Sequence, residues 1–98
     1  MATIGRYIIT ITTADVGNVV FTAPITVKRI HILGATGTVA GDAYRLEDPD
    51  GNLLYRSQAN GAYYESESIT QRKWTGGVKV ITLSSGEIDI EYDRDTKY

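Results

Sequence analysis

Along this chain apolar and polar residues alternate at or near every second position, and no stretch repeats with the period of an amphipathic helix. Ile4 to Thr12, Ile25 to Leu33, Val78 to Ser84 and Glu87 to Tyr92 are rich in Ile, Val, Thr and Tyr, side chains that suit a pleated surface. Val19 to Ala23, Asp42 to Glu47, Leu53 to Ser57 and Ala62 to Ile69 read as further strands, and Thr38-Val39 as a short one inside the Gly34 to Gly41 connection. Turn residues separate them. The most definite turn is Asp48-Pro49-Asp50-Gly51-Asn52, where Pro presets φ and Gly or Asn accepts a positive φ. About eight strands with regularly spaced turns predict an all-β chain, a single antiparallel β-sandwich or jelly roll spanning residues 1–98. Its core is expected to draw on Ile9, Ile11, Phe21, Ile30, Ile32, Leu46, Leu54, Ile81, Ile88 and Ile90.

Two strands break the alternation. In Val78-Lys79-Val80-Ile81-Thr82-Leu83 apolar residues fall on both faces after Lys79, and Ile30 and Ile32 compete with Val27 and Leu33 in the same way. A strand with two apolar faces is covered on both sides. With no helix to supply the second cover, either a neighbouring subunit supplies it or a bulge swaps the faces. The pattern leaves both open.

Composition narrows the chemistry. The 98 residues fit one domain of ordinary size. There is no cysteine, hence no disulfide, thiolate zinc ligand or thiol nucleophile. Twelve acidic against ten basic residues give a formal charge of −2, which argues against broad binding to nucleic-acid phosphates. The apolar run Tyr7-Ile8-Ile9-Thr10-Ile11 after Arg6 is too short and polar for a signal core, and no run reaches the ~20 residues of a membrane span.

The candidate sites each have a competing plain reading. Ile32-Leu33-Gly34-Ala35-Thr36-Gly37-Thr38-Val39-Ala40-Gly41 resembles the glycine-rich turn of nucleotide-sugar epimerase-like and reductase-like Rossmann proteins. The helix that such a turn must open is missing, so a mobile loop is expected and no cofactor. Asp48, Asp50 and Asn52 suggest a calcium loop, but Gly51 comes too early for an EF-hand; turn chemistry explains them and no metal is expected. Glu87, Asp89, Glu91 and Asp93 alternate with Ile88, Ile90 and Tyr92, which places the carboxylates on one strand face at ~7 Å intervals. They read as a solvated sheet edge that discourages aggregation or as an acidic stripe facing a basic partner. His31, the single histidine, has weak raw material for a triad and is expected half-buried or outward beside Arg29. Tyr55, Tyr63 and Tyr64 gather at a loop-rich end with Arg56, Gln58 and Asn60 and suit a protein contact or a sugar face. Trp74 reads as core plug, interface residue or glycan platform. No catalytic constellation is expected.

Three segments carry a family likeness: Ala2-Thr3-Ile4-Gly5-Arg6-Tyr7, Pro49-Asp50-Gly51-Asn52-Leu53-Leu54-Tyr55, and Trp74-Thr75-Gly76-Gly77-Val78-Lys79-Val80 continuing through Ser85-Gly86-Glu87-Ile88-Asp89-Ile90. In length and texture the chain resembles small β-sandwich virion proteins of tailed bacteriophages, especially head decoration or cement proteins. The resemblance implies a non-enzymatic subunit, assembled in the host cytoplasm into the virion, that binds the major capsid protein or another virion protein. It implies a homo-oligomer, often a trimer. Tyr55, Tyr63, Tyr64, Trp74, Glu87, Asp89 and Glu91 are the interface candidates. A tail, baseplate or head-fibre module and a carbohydrate-binding sandwich are the alternatives.

Overall fold

A computed structural model of the chain describes residues 3–4, 8–22 and 24–94. Residues 5–7 of the first expected strand and Ala23 of the second lie outside them. The described residues form nine strands and one short 3-10 turn: β1 (Thr3–Ile4), β2 (Ile8–Thr12), η1 (Thr13–Asp15), β3 (Val19–Phe21), β4 (Ile25–Leu33), β5 (Ala43–Glu47), β6 (Leu53–Gln58), β7 (Glu65–Trp74), β8 (Val78–Leu83) and β9 (Glu87–Arg94). They make two antiparallel sheets, β1-β2-β9-β4-β7 and β3-β8-β5-β6.

The pairing follows one rule. β2 pairs with β9, β3 with β8, β4 with β7 and β5 with β6. The first four of these strands therefore run against the last four as one long hairpin. That hairpin wraps, and β4 then also pairs β9 while β5 pairs β8. This is the strand order of a jelly roll, with β1 added at one edge through β2. One core lies between the sheets: Ile9, Ile11, Ile30, Ile32, Ile88 and Ile90 face Tyr44, Leu46, Val78, Val80 and Leu83.

Both irregular strands are bulged. In β4, Val27 opposes Tyr92 and Arg29 opposes Glu91, so Lys28 is an extra residue against β9. Val27 and Ile30 are both buried as a result, with Lys28 and Arg29 both exposed between them. In β8, Thr82 opposes Arg45 and Val80 opposes Leu46, leaving Ile81 unpaired against β5. Val80 and Leu83 then point inward and Ile81 does not; the expectation that Ile81 belongs to the core is corrected by that extra residue. Phe21 and Leu54 only flank the core, and Leu54 sits at a third irregularity between β5 and β6. Bulges thus account for the second apolar faces without a neighbouring subunit.

Two connections differ from expectation. The strand after Ala59-Asn60-Gly61 starts at Glu65 and runs to Trp74. Gly34 to Gly41 contains no strand at Thr38-Val39 and is a tied loop rather than a loose one. The Ala35 N–H donates to Thr38 Oγ1 at 2.8 Å, Thr38 Oγ1 lies 2.7 Å from Ser85 Oγ, and Ser85 Oγ donates to Asp42 Oδ2 at 2.8 Å. Since Ser85 spends its proton on the carboxylate, Thr38 supplies its own to Ser85. Gly34 is needed because the Tyr64 backbone crosses it: a Cβ there would lie 2.6 Å from the Tyr64 nitrogen. The glycine that looked like a phosphate-loop residue marks a close backbone approach instead.

Candidate interaction surfaces

The acidic residues of β9 lie on the outer face of the five-stranded sheet, because Ile88, Ile90 and Tyr92 take the inner one. β9 lies between β2 and β4, so the stripe runs down the middle of the sheet and not along a free edge, and the edge-protection reading is corrected. Registry fixes its neighbours. Asp89 lies between Thr10 and His31, with Glu67 beyond His31. Glu91 lies between Ile8 and Arg29, and Glu87 between Thr12 and Leu33.

The chain answers part of this charge itself. Arg29 Nε is 3.6 Å from Glu67 and 3.7 Å from Glu91, Lys28 Nζ is 3.3 Å from Asp93, and His31 Nε2 is 3.0 Å from Glu65. The arginine and lysine pairs are about half exposed, and such pairs each contribute only ~0–1 kcal/mol. A negative excess remains. Desolvation raises the Glu87 carboxyl above its ordinary range, and the charge and hydrogen bonding of Asp89 add to the rise while His31 opposes it. Between Ile8, Arg29, His31, Asp89 and Glu91 the face sinks into a recess of about 180 Å³. One of the two Asp89 carboxylate oxygens, Oδ1, is buried and accepts no hydrogen bond among the described residues.

The aromatic residues do not form one patch. Tyr55 leaves β6 and reaches Ser68 of β7 at 3.4 Å, and Tyr64 reaches Ser57 of β6 at 3.3 Å. β6 and β7 are edge strands of different sheets, so the two tyrosines stitch the sandwich along one open side. Tyr64 also stacks on buried Tyr44, with ring centres 6.2 Å apart and planes 16° from parallel. The hydroxyls of Ser57 and then Ser66 hold its phenol below the ordinary range. Trp74 is in the core at the end of β7. Of these four candidates only Tyr63 is presented: it is 67 % exposed, has a φ of 54°, and its hydroxyl is 2.6 Å from Thr36 Oγ1.

A second face went unnoticed in the sequence. On the outer side of the four-stranded sheet Arg45 lies directly opposite Arg56 across β5 and β6, and opposite Thr82 across β8. Like charges so placed repel. Glu47 takes the Arg45 guanidinium, whereas Arg56 has no hydrogen bond or ion pair among the described residues. A shallow cleft of about 410 Å³ runs over Arg45, Arg56, Gln58 and Thr82. The only sequence signal was the alternation Tyr44-Arg45-Leu46-Glu47 facing Tyr55-Arg56-Ser57, whose cross-strand match depends on the irregularity at Leu54.

The calcium-loop candidate is spent on its own turn. Asp48 Oδ1 accepts the N–H groups of Asp50 and Asn52 at 3.0 and 2.8 Å, and Oδ2 accepts the Asn52 amide at 2.9 Å. Among the described residues no three His, Cys, Asp or Glu side chains are grouped to hold a metal ion. No helix there is long and apolar enough to cross a membrane. No protein-family model, curated protein or solved structure matches the chain.

Proposed function

We propose that this chain is a non-enzymatic structural protein of a phage virion, a decoration subunit that lies on the outer surface of the head and contacts the capsid protein as a homo-oligomer. The observation that carries the reading is the topology. Jelly rolls with this pairing recur in viral capsid domains, so the strand order supports the likeness of the sequence to small virion sandwiches. The support is by analogy of fold. The surface agrees with it, since two broad sheet faces carry charge and shallow recesses of the kind that protein contacts use. The test is co-sedimentation of the purified chain with undecorated phage heads. Saturable binding to the shell supports the reading, and a chain that stays in the supernatant at every concentration removes it.

Jelly rolls also serve as lectin domains, and the exposed Tyr63 ring favours a carbohydrate-binding reading as the second choice. With Trp74 buried and Tyr64 stacked on Tyr44, such a platform reduces to one ring. Saturable glycan-array binding that disappears in Tyr63→Ala would select it.

A further inference from the structure

The two outer faces of the sandwich carry opposite charge. On the five-stranded side, Glu65, Glu67, Glu87, Asp89, Glu91 and Asp93 outnumber Lys28, Arg29 and Lys73. On the four-stranded side, Lys79, Arg45 and Arg56 outnumber Glu47. The imbalance is matched at the level of single atoms. The first face holds a buried acceptor without a donor among the described residues, Asp89 Oδ1, beside a recess of about 180 Å³. The second holds Arg56, whose guanidinium has no acceptor among the described residues and which stands directly opposite Arg45 across the ladder.

We propose that copies of this chain stack head to tail, the arginine face of one on the acidic face of the next, with Arg56 entering the recess beside Asp89. This goes beyond a capsid-binding role and does not depend on it. Arg29 and His31 line the same recess, but Arg29 is already held between Glu67 and Glu91, and His31 beside Glu65. An incoming guanidinium therefore meets more carboxylate than cation. Ile8 at the rim is 47 % exposed, and so is Leu53, which stands opposite Glu47 on the arginine face, so each face adds an apolar edge.

The two faces point in opposite directions, so the contact is heterologous and propagates instead of closing on itself. With strands ~4.8 Å apart and ~3.3 Å per residue, four strands by five residues span only ~300 Å². That is well under the ~800 Å² per partner of a stable interface, so the stack is weak and controlled by salt.

Sedimentation velocity tests this at about 0.01 M and about 1 M salt, where the Debye lengths are ~30 and ~3 Å. The expected result is concentration-dependent growth at low salt and a monomer at high salt. Arg56→Glu and Glu91→Lys should each weaken the low-salt association by about tenfold or more. Both side chains are exposed enough for the variants to fold, which circular dichroism verifies. The deciding measurement is the mixture. Arg56→Glu keeps a good acidic face and Glu91→Lys keeps a good arginine face, so the mixture should associate at low salt more strongly than either variant alone. A monomer at low salt, association untouched by either variant, or no complementation on mixing would each overturn the proposal.

Discussion

Glu87 shows how one carboxylate reports its surroundings. Its folded-state pKa lies above the ordinary 4.5 because burial and Asp89 disfavour its charge. The folded chain therefore binds this proton more readily than the unfolded one. The stability it contributes is present below the unfolded value and is lost as pH rises through the folded one. Glu87→Gln should raise the thermal midpoint at neutral pH, by ~0.2–1 kcal/mol in stability given the partial exposure, with the gain vanishing below about pH 4.5. Melts of the two proteins at pH 4 and pH 7 check this; an equal gain at both would point to a cause other than charge. Asp48 has the opposite sign. Its pKa is lowered by the Asn52 side chain first and by the backbone N–H groups of the turn. Its contribution holds above the unfolded value and is lost only as acid carries the pH through the folded one. The amides of Asp50 and Asn52 should lose exchange protection there, and in Asp48→Ala at any pH. Gly34→Ala should cost ~1–3 kcal/mol in denaturant titrations, since its Cβ has no room beside the Tyr64 backbone.

For the strands, the bulges decide which side chains enter the core. Deleting Ile81 would restore strict alternation in β8 while Val80, Thr82 and Leu83 keep their partners Leu46, Arg45 and Tyr44, so Leu83 stays inside. Leu83→Ala, by contrast, empties a buried position and should cost ~2–5 kcal/mol. Ile81→Thr removes a side chain that the core does not use and should stay within about 1 kcal/mol of the parent. Urea midpoints check this: a loss in the Ile81 deletion as large as that in Leu83→Ala would mean that the bulge itself is needed to seat β8. The open side of the sandwich depends on the two tyrosine bridges between β6 and β7. Tyr55→Phe and Tyr64→Phe should each lose ~0.5–1.5 kcal/mol. Hydrogen exchange in β6 should rise before that of β9, which is paired on both sides.

At the scale of the whole molecule, the inward turn of both irregular strands makes the fold self-sufficient. The core residues of both sheets are closed against each other, and among the described residues neither sheet keeps a second continuous apolar face. At physiological salt the chain should unfold cooperatively with a midpoint that stays constant over about a hundredfold range of protein concentration. A midpoint that climbs with concentration would show that stability is shared between copies. Any oligomer is then built on charged outer faces and recesses, and its strength should follow salt more than temperature.

Strand content, the Asp48–Asn52 turn and seven of the ten expected core residues were legible in the sequence, since alternation and turn chemistry act over a few neighbouring residues. The acidic stripe was legible as a set sharing one face, for the same reason. Its place in the middle of a sheet was not, because neighbours across a ladder come from β2 and β4, far away in the chain. Tyr55 and Tyr64 looked like an interface because aromatic clustering in sequence carries no sign of which ring turns inward. The face of Ile81 and the facing pair Arg45 and Arg56 were hidden in one-residue slips of register, and a slip of one residue exchanges inside for outside. Local pattern determined what each segment becomes; the wrapping of one long hairpin decided which segments meet, because that depends on contacts between residues widely separated along the chain.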